Sequence, residues 1–204
     1  TTGGAVVLST DKVAPTVTDN QAGDDIWRMA DPGSVYDVDF QDNGTGLKTT
    51  QYSVWSAPGG AAGTGTIVLD WTDIATGINA ATYTTNWAVN FASLTGGLNY
   101  VSARAYDYAE NLSAVATDVF YVKKDDVAPA VVDNQAGDDT WRMADPGAVY
   151  DVDFSDALSG LNNAQYSVWS APGESAGTGA ILLNWTDIAT GIGAATYSTN
   201  WGVS

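Results

Sequence analysis

The sequence predicts an all-β protein built as antiparallel β-sandwiches in tandem, with about seven strands in each full unit. Three observations predict it. Residues 19–40 return almost letter for letter at 133–154, and aligning 11–90 with 125–204 gives 59 identities in 80 positions at a constant offset of 114. A fixed long period marks units set in series. The composition favours turns, with 22 Gly and 6 Pro, and only Glu110 and Glu174 among 24 acidic residues are not Asp. Finally, no long window repeats apolar side chains at helical spacing, whereas short alternating runs recur at sandwich spacing.

The period sets the organisation. Residues 1–10 stand where 115–124 stand in the full unit, so they read as the tail strand of a preceding unit. Residues 11–124 form repeat 1, and 125–204 form repeat 2, lacking its last two strands. A full unit is long enough to bury a core without metal or disulfide staples.

Each element has its own signal. Ala5–Leu8 is a short apolar run suited to a strand. Asp11-Lys-Val-Ala-Pro15, echoed at Asp125-Asp-Val-Ala-Pro129, marks the junction, because proline rigidifies it and tolerates only a strand start or edge. A strand follows Pro15. Ile26–Met29 reads as a short strand or a loop crossing between turns at Gly23-Asp-Asp25 and Asp31-Pro-Gly33. From Val35 to Phe40 the chain alternates, with Tyr36, Val38 and Phe40 on one face and Asp37 and Asp39 on the other: a half-buried strand. Asp42–Gly46 is a turn. Gln51–Ser56, Thr66–Trp71, Thr82–Val89, Asn99–Asp107 and Val115–Val122 supply the remaining strands, with Tyr83 and Trp87 as anchors. Trp71–Gly77 and Phe91–Leu94 are expected to make single 3₁₀ turns.

Charge and composition exclude several functions. The net charge of −17 argues against nucleic acid and anionic membranes, since seven basic residues cannot replace phosphate counterions. The absence of His and Cys removes the usual zinc, copper and iron ligands and all imidazole or thiolate catalysis. No signal peptide and no run of about 18 apolar residues is present, so no membrane insertion is expected.

Four motifs carry a resemblance: the Asp-x-x-Ala-Pro opening, the Tyr-x-Val-x-Phe strand, Asp42…Gly46-Leu47 before a Tyr-containing strand, and Tyr100-Val-Ser-Ala-Arg-Ala-Tyr-Asp107-Tyr-Ala-Glu110-Asn111. Together they resemble the bacterial Ig-like modules, akin to fibronectin type III, that occur in tandem in long surface and secreted proteins. Those modules often carry a Gly where this chain has Glu110. The resemblance covers 11–124 and implies a sandwich fold, an extracellular or cell-surface location, and a non-catalytic role as spacer, adhesin stalk or filament module.

Candidate sites follow from the acids, the tryptophans and the asparagines. Asp24 with Asp25, Asp37 with Asp39 and Asp42, and Asp107 with Glu110 and Asn111 lie near turns. Ca2+ takes six to eight oxygens from such loops, and the junction ligands would be Asp11, Asp107, Glu110, Asp125 and Asp126. The plainer reading is that these acids are solvated and keep a repetitive chain soluble. Trp55 and Trp169 alternate out of phase with their neighbours, so they are the candidates for a sugar platform, the alternative being core or contact aromatics. Arg28, in a chain almost without cations, is expected to pair with Asp24, Asp37 or Asp39, or to stack on Trp. Asn43 and Asn111 head glycosylation triplets, as does Asn184 inside a strand. No carboxylate pair stands out as a glycosidase site.

The expected role is therefore a structural repeat that stacks head to tail with further repeats or subunits. Repeat 2 ends before its equivalents of 99–107 and 115–122, and a further stretch of chain or a neighbour's strand is expected to complete it.

Overall fold

In the computed structural model, described for residues 10–21, 24–135, 137, 140–173 and 177–203, strands dominate and no α-helix occurs among the described residues. The expected strand at Ala5–Leu8 lies outside the described residues. The chain divides into two compact units, Thr1–Asp126 and Val127–Ser204.

The first unit contains β1 (Thr16–Asp19), β2 (Trp27–Arg28), β3 (Val38–Gln41), β4 (Leu47–Ala57), β5 (Thr64–Ala80), β6 (Thr82–Tyr83), β7 (Gly97–Asp107) and β8 (Ala116–Lys124). They form a three-stranded sheet, β1-β3-β6, and a five-stranded sheet, β2-β8-β7-β4-β5. One pairing departs from the antiparallel expectation: β2 runs parallel to β8, Trp27 opposite Lys123 and Arg28 opposite Lys124. Trp71–Gly77 is not a 3₁₀ turn but the middle of β5, where Thr72, Asp73, Ala75 and Thr76 all pair with β4. Cross-strand partners outweigh the turn propensity of a single glycine there. The run Thr82–Val89 is strand only at Thr82–Tyr83, joined to the sheet again by a bridge between Tyr36 and Trp87. Phe91–Ser93 does form a 3₁₀ turn.

The core lies where the two sheets' apolar faces meet. Tyr36, Val38 and Phe40 are each 1 % exposed, as their alternation requires. On β4 the inward set changes phase, from Leu47 to Thr50, Tyr52 and Val54, and the register shifts between Leu47 and Thr49. An irregularity of this kind re-aims every side chain beyond it. Trp87 packs against Tyr36, Tyr52 and Phe120, and its Nε1 donates to Val38 O at 3.3 Å.

The second unit contains β9 (Ala130–Asp133), β10 (Val152–Ser155), β11 (Leu161–Ala171), β12 (Thr178–Ala194) and β13 (Thr196–Tyr197), in a three-stranded and a two-stranded sheet. Its pairings repeat those of the first at the 114-residue offset. Val17 faces Phe40 and Val131 faces Phe154; Leu47 faces Ala80 and Leu161 faces Ala194.

Candidate metal centre

Three segments of the first unit meet at one end of the fold. The first is the stretch before β1, which carries Asp11. The second is the turn from β3 to β4, which carries Asp42. The third is the turn after β7, which begins at Asp107.

Each carboxylate organises its own turn. Asp42 Oδ2 accepts the N–H of Gly44 (3.1 Å) and of Gly46 (2.6 Å), wrapping the loop around one oxygen. Gly46 sits at φ +87°, a left-handed conformation in which a Cβ would be strained. Asp107 Oδ1 accepts the N–H of Asn111 at 2.7 Å, and Oδ2 accepts Asn111 Nδ2 at 2.7 Å. Asp11 Oδ1 accepts the N–H of Val13 (2.9 Å), and its Oδ2 accepts that of Thr45 (2.6 Å). These two backbone donors hold the Asp11 pKa below the usual carboxylate value. The segments are also laced together, since Asn111 Nδ2 donates to Asp11 O at 3.3 Å and the N–H of Ala109 donates to Thr45 Oγ1 at 3.1 Å.

The result is a cluster in which Asp11, Asp42 and Asp107 each place a carboxylate oxygen within 4.8 Å of the others. Asp107 is fully buried, Asp42 is 2 % exposed and Asp11 is half-buried. Among the described residues, the ion pairs shown are Arg28–Asp24, Lys48–Glu110, Lys123–Asp25 and Lys124–Asp126, and none of them involves the three. Asp42 Oδ1 is buried without a hydrogen-bond partner. Such a group is costly unless something positive or donating meets it.

The structure thus brings together two of the five junction acids, Asp11 and Asp107, and joins to them Asp42. Glu110 points elsewhere: its side chain is largely exposed and pairs with Lys48. Its backbone takes φ +64°, a left-handed conformation that favours glycine. Asp126 pairs with Lys124 at 3.1 Å, and the Asp125 N–H donates to Arg28 O. Neither belongs to the cluster. Sequence reasoning had Asp42 as one of several turn acids. The signal that singles it out is the spacing Asp42…Gly44…Gly46, which makes it the hub of a closed loop.

The other candidates fall in varied surroundings. Trp55 and Trp169 are half-buried, and a Cβ at Gly63 or Gly177 would overlap the respective indole, so glycine backbone already lies on a ring face in each. Their Nε1 groups donate to Ser53 and Ser167. The exposed tryptophans are instead Trp141 (100 %) and Trp185 (56 %). Asn43 is exposed on the β3–β4 turn, whereas the Asn111 amide nitrogen, the atom that a glycan would occupy, is spent on Asp107 and Asp11. Arg28 pairs with Asp24, the first of its expected partners, through two bonds of 2.9 and 3.1 Å. The cations over tryptophan faces are Arg104, 4.0 Å from the Trp71 ring centre, and Lys123, 5.9 Å from that of Trp27.

No protein-family model, curated protein or solved structure matches this chain. Chemically, the acid cluster offers hard oxygen ligands on loops, a donor set for an alkaline-earth cation rather than for a transition metal. No helix among the described residues is long and apolar enough to cross a membrane.

Proposed function

We propose that the chain is a non-catalytic structural module, made of Ig-like sandwich repeats, that builds a stalk, adhesin or filament outside the cell by stacking head to tail. The observation that carries this reading is the recurrence of the same strand registers in both units at a constant offset of 114 residues. A unit copied with its pairings intact is a building block. The polar groups of the core support the same role, because Asn99, Asp107 and Ser113 bond to backbone and hold turns.

Self-association is the partner reading. In the first unit β4 is paired on both edges, by β5 and β7, whereas among the described residues β11 pairs only with β12. Ile181, Leu182 and Trp185 on β12 are exposed by 53, 65 and 56 %. An open edge beside exposed apolar side chains favours a further strand or copy. Sedimentation across a concentration series, with electron microscopy of the most concentrated sample, tests this. Linear head-to-tail oligomers are expected. A monomer at every concentration, together with tryptophan fluorescence that responds to oligosaccharides, would replace the reading with a sugar-binding one.

A further inference from the structure

We propose that Asp11, Asp42 and Asp107 bind one Ca2+ ion, which clamps the segment before Pro15 onto the first unit, and that Gly44 leaves the room that Asp11 needs to join them.

Three independent features point to a cation. Two of the carboxylates are buried, and like charges within 4.8 Å of each other repel more strongly there than in water. No basic side chain among the described residues pairs with any of them. Asp42, itself 2 % exposed, keeps Oδ1 buried and unpartnered while Oδ2 carries the loop. The donor set suits calcium, which takes six to eight oxygens at about 2.3–2.6 Å in flexible geometry, and the three carboxylate oxygens lie within 4.8 Å of one another.

The repeat isolates the part played by Gly44. Asp11 maps to Asp125 and Asp42 to Asp156, but Gly44 maps to Leu158. At Gly44 the space of a Cβ is already taken by the Asp11 carboxylate. Glycine there lets the acid close on the loop, and a leucine side chain would displace it. Asp156 still builds its turn, with Oδ1 accepting the N–H groups of Leu158 and Gly160 at 3.0 Å. The loop therefore folds with leucine at this position.

This separation of folding from ligation gives the test, which uses the whole chain. Ca2+ is titrated into chelator-treated protein by calorimetry, with Mg2+ as a control, and melting is followed by circular dichroism. The expected result is one Ca2+ per chain and a melting temperature several degrees higher in Ca2+ than in chelator. Asp42→Asn should weaken binding by about tenfold or more, since affinity follows ligand charge. Gly44→Leu should abolish it while leaving the calcium-free melting temperature nearly unchanged. No heat and no shift with either ion, or undiminished binding by Asp42→Asn and Gly44→Leu, would overturn the proposal. Either result leaves the module reading standing, because the repeated strand registers do not depend on the ion.

Discussion

Tyr36 and Phe120 stack face to face, with ring centres 4.2 Å apart and planes 8° from parallel. Phe120 is on β8 of the five-stranded sheet, and Tyr36, just before β3, bridges to Trp87, so the pair joins the two sides of the first unit's core. Phe120→Ala should cost about 3–5 kcal/mol, from lost burial and the cavity left against Tyr36 and Trp87. Urea unfolding checks it, and a loss below about 1 kcal/mol would mean that the seam is not where the core is tightest.

Asn99 is fully buried and acts as a hub. Its Nδ2 donates to Thr95 O at 2.8 Å and Gly97 O at 3.2 Å, while its Oδ1 accepts from the Thr95 N–H at 3.1 Å and hydroxyl at 3.2 Å. Asn99→Leu matches its size but strands these backbone groups. Destabilisation of about 2–4 kcal/mol is expected, with amide exchange of Thr95 accelerating, because each orphaned buried group costs about 1–3 kcal/mol. Retention of slow exchange at Thr95 would argue against the hub.

Arg28 grips Asp24, which is 6 % exposed and also accepts the Tyr36 hydroxyl at 3.3 Å. Arg28→Ala leaves that carboxylate buried and should destabilise by about 3 kcal/mol. Restoring neutrality with Asp24→Asn in the same chain should recover part of the loss. A double-mutant cycle on thermal unfolding measures the coupling.

Asp25 accepts a hydrogen bond from the Tyr121 hydroxyl and pairs with Lys123 at 3.2 Å, and these hold its pKa below the usual value. The sign follows directly. A depressed folded pKa contributes stability above the ordinary carboxylate range, and that contribution is lost as pH falls through the folded value. Tyr121→Phe removes the leading cause, so Asp25 should titrate at higher pH by side-chain carbon NMR. An unmoved midpoint would show that the hydroxyl is not its partner in solution.

Glu110 holds a left-handed backbone at φ +64°. Glu110→Gly should be more stable than Glu110→Ala by about 1 kcal/mol, because both lose the Lys48 pair and only glycine escapes the Cβ penalty. Equal melting temperatures for the two variants would count against the strain.

The sequence by itself determined the all-β class, the 114-residue period, and the inward face of Tyr36, Val38 and Phe40, because these depend on local alternation and on direct repetition. It also marked Trp87 as an anchor and Asp11 and Asp107 as ligand candidates. The rest depended on long-range packing. Trp71–Gly77 became strand because β4 supplied partners along its length. β2 paired in parallel with β8, a contact between residues nearly a hundred positions apart that no local pattern encodes. Asp42 joined Asp11 and Asp107 because three distant segments converge on one end of the unit, and Gly44 mattered only once the Asp11 carboxylate was seen to fill the space of its missing side chain. Local chemistry sets which residues can turn, alternate or ligate; long-range packing sets which of them meet.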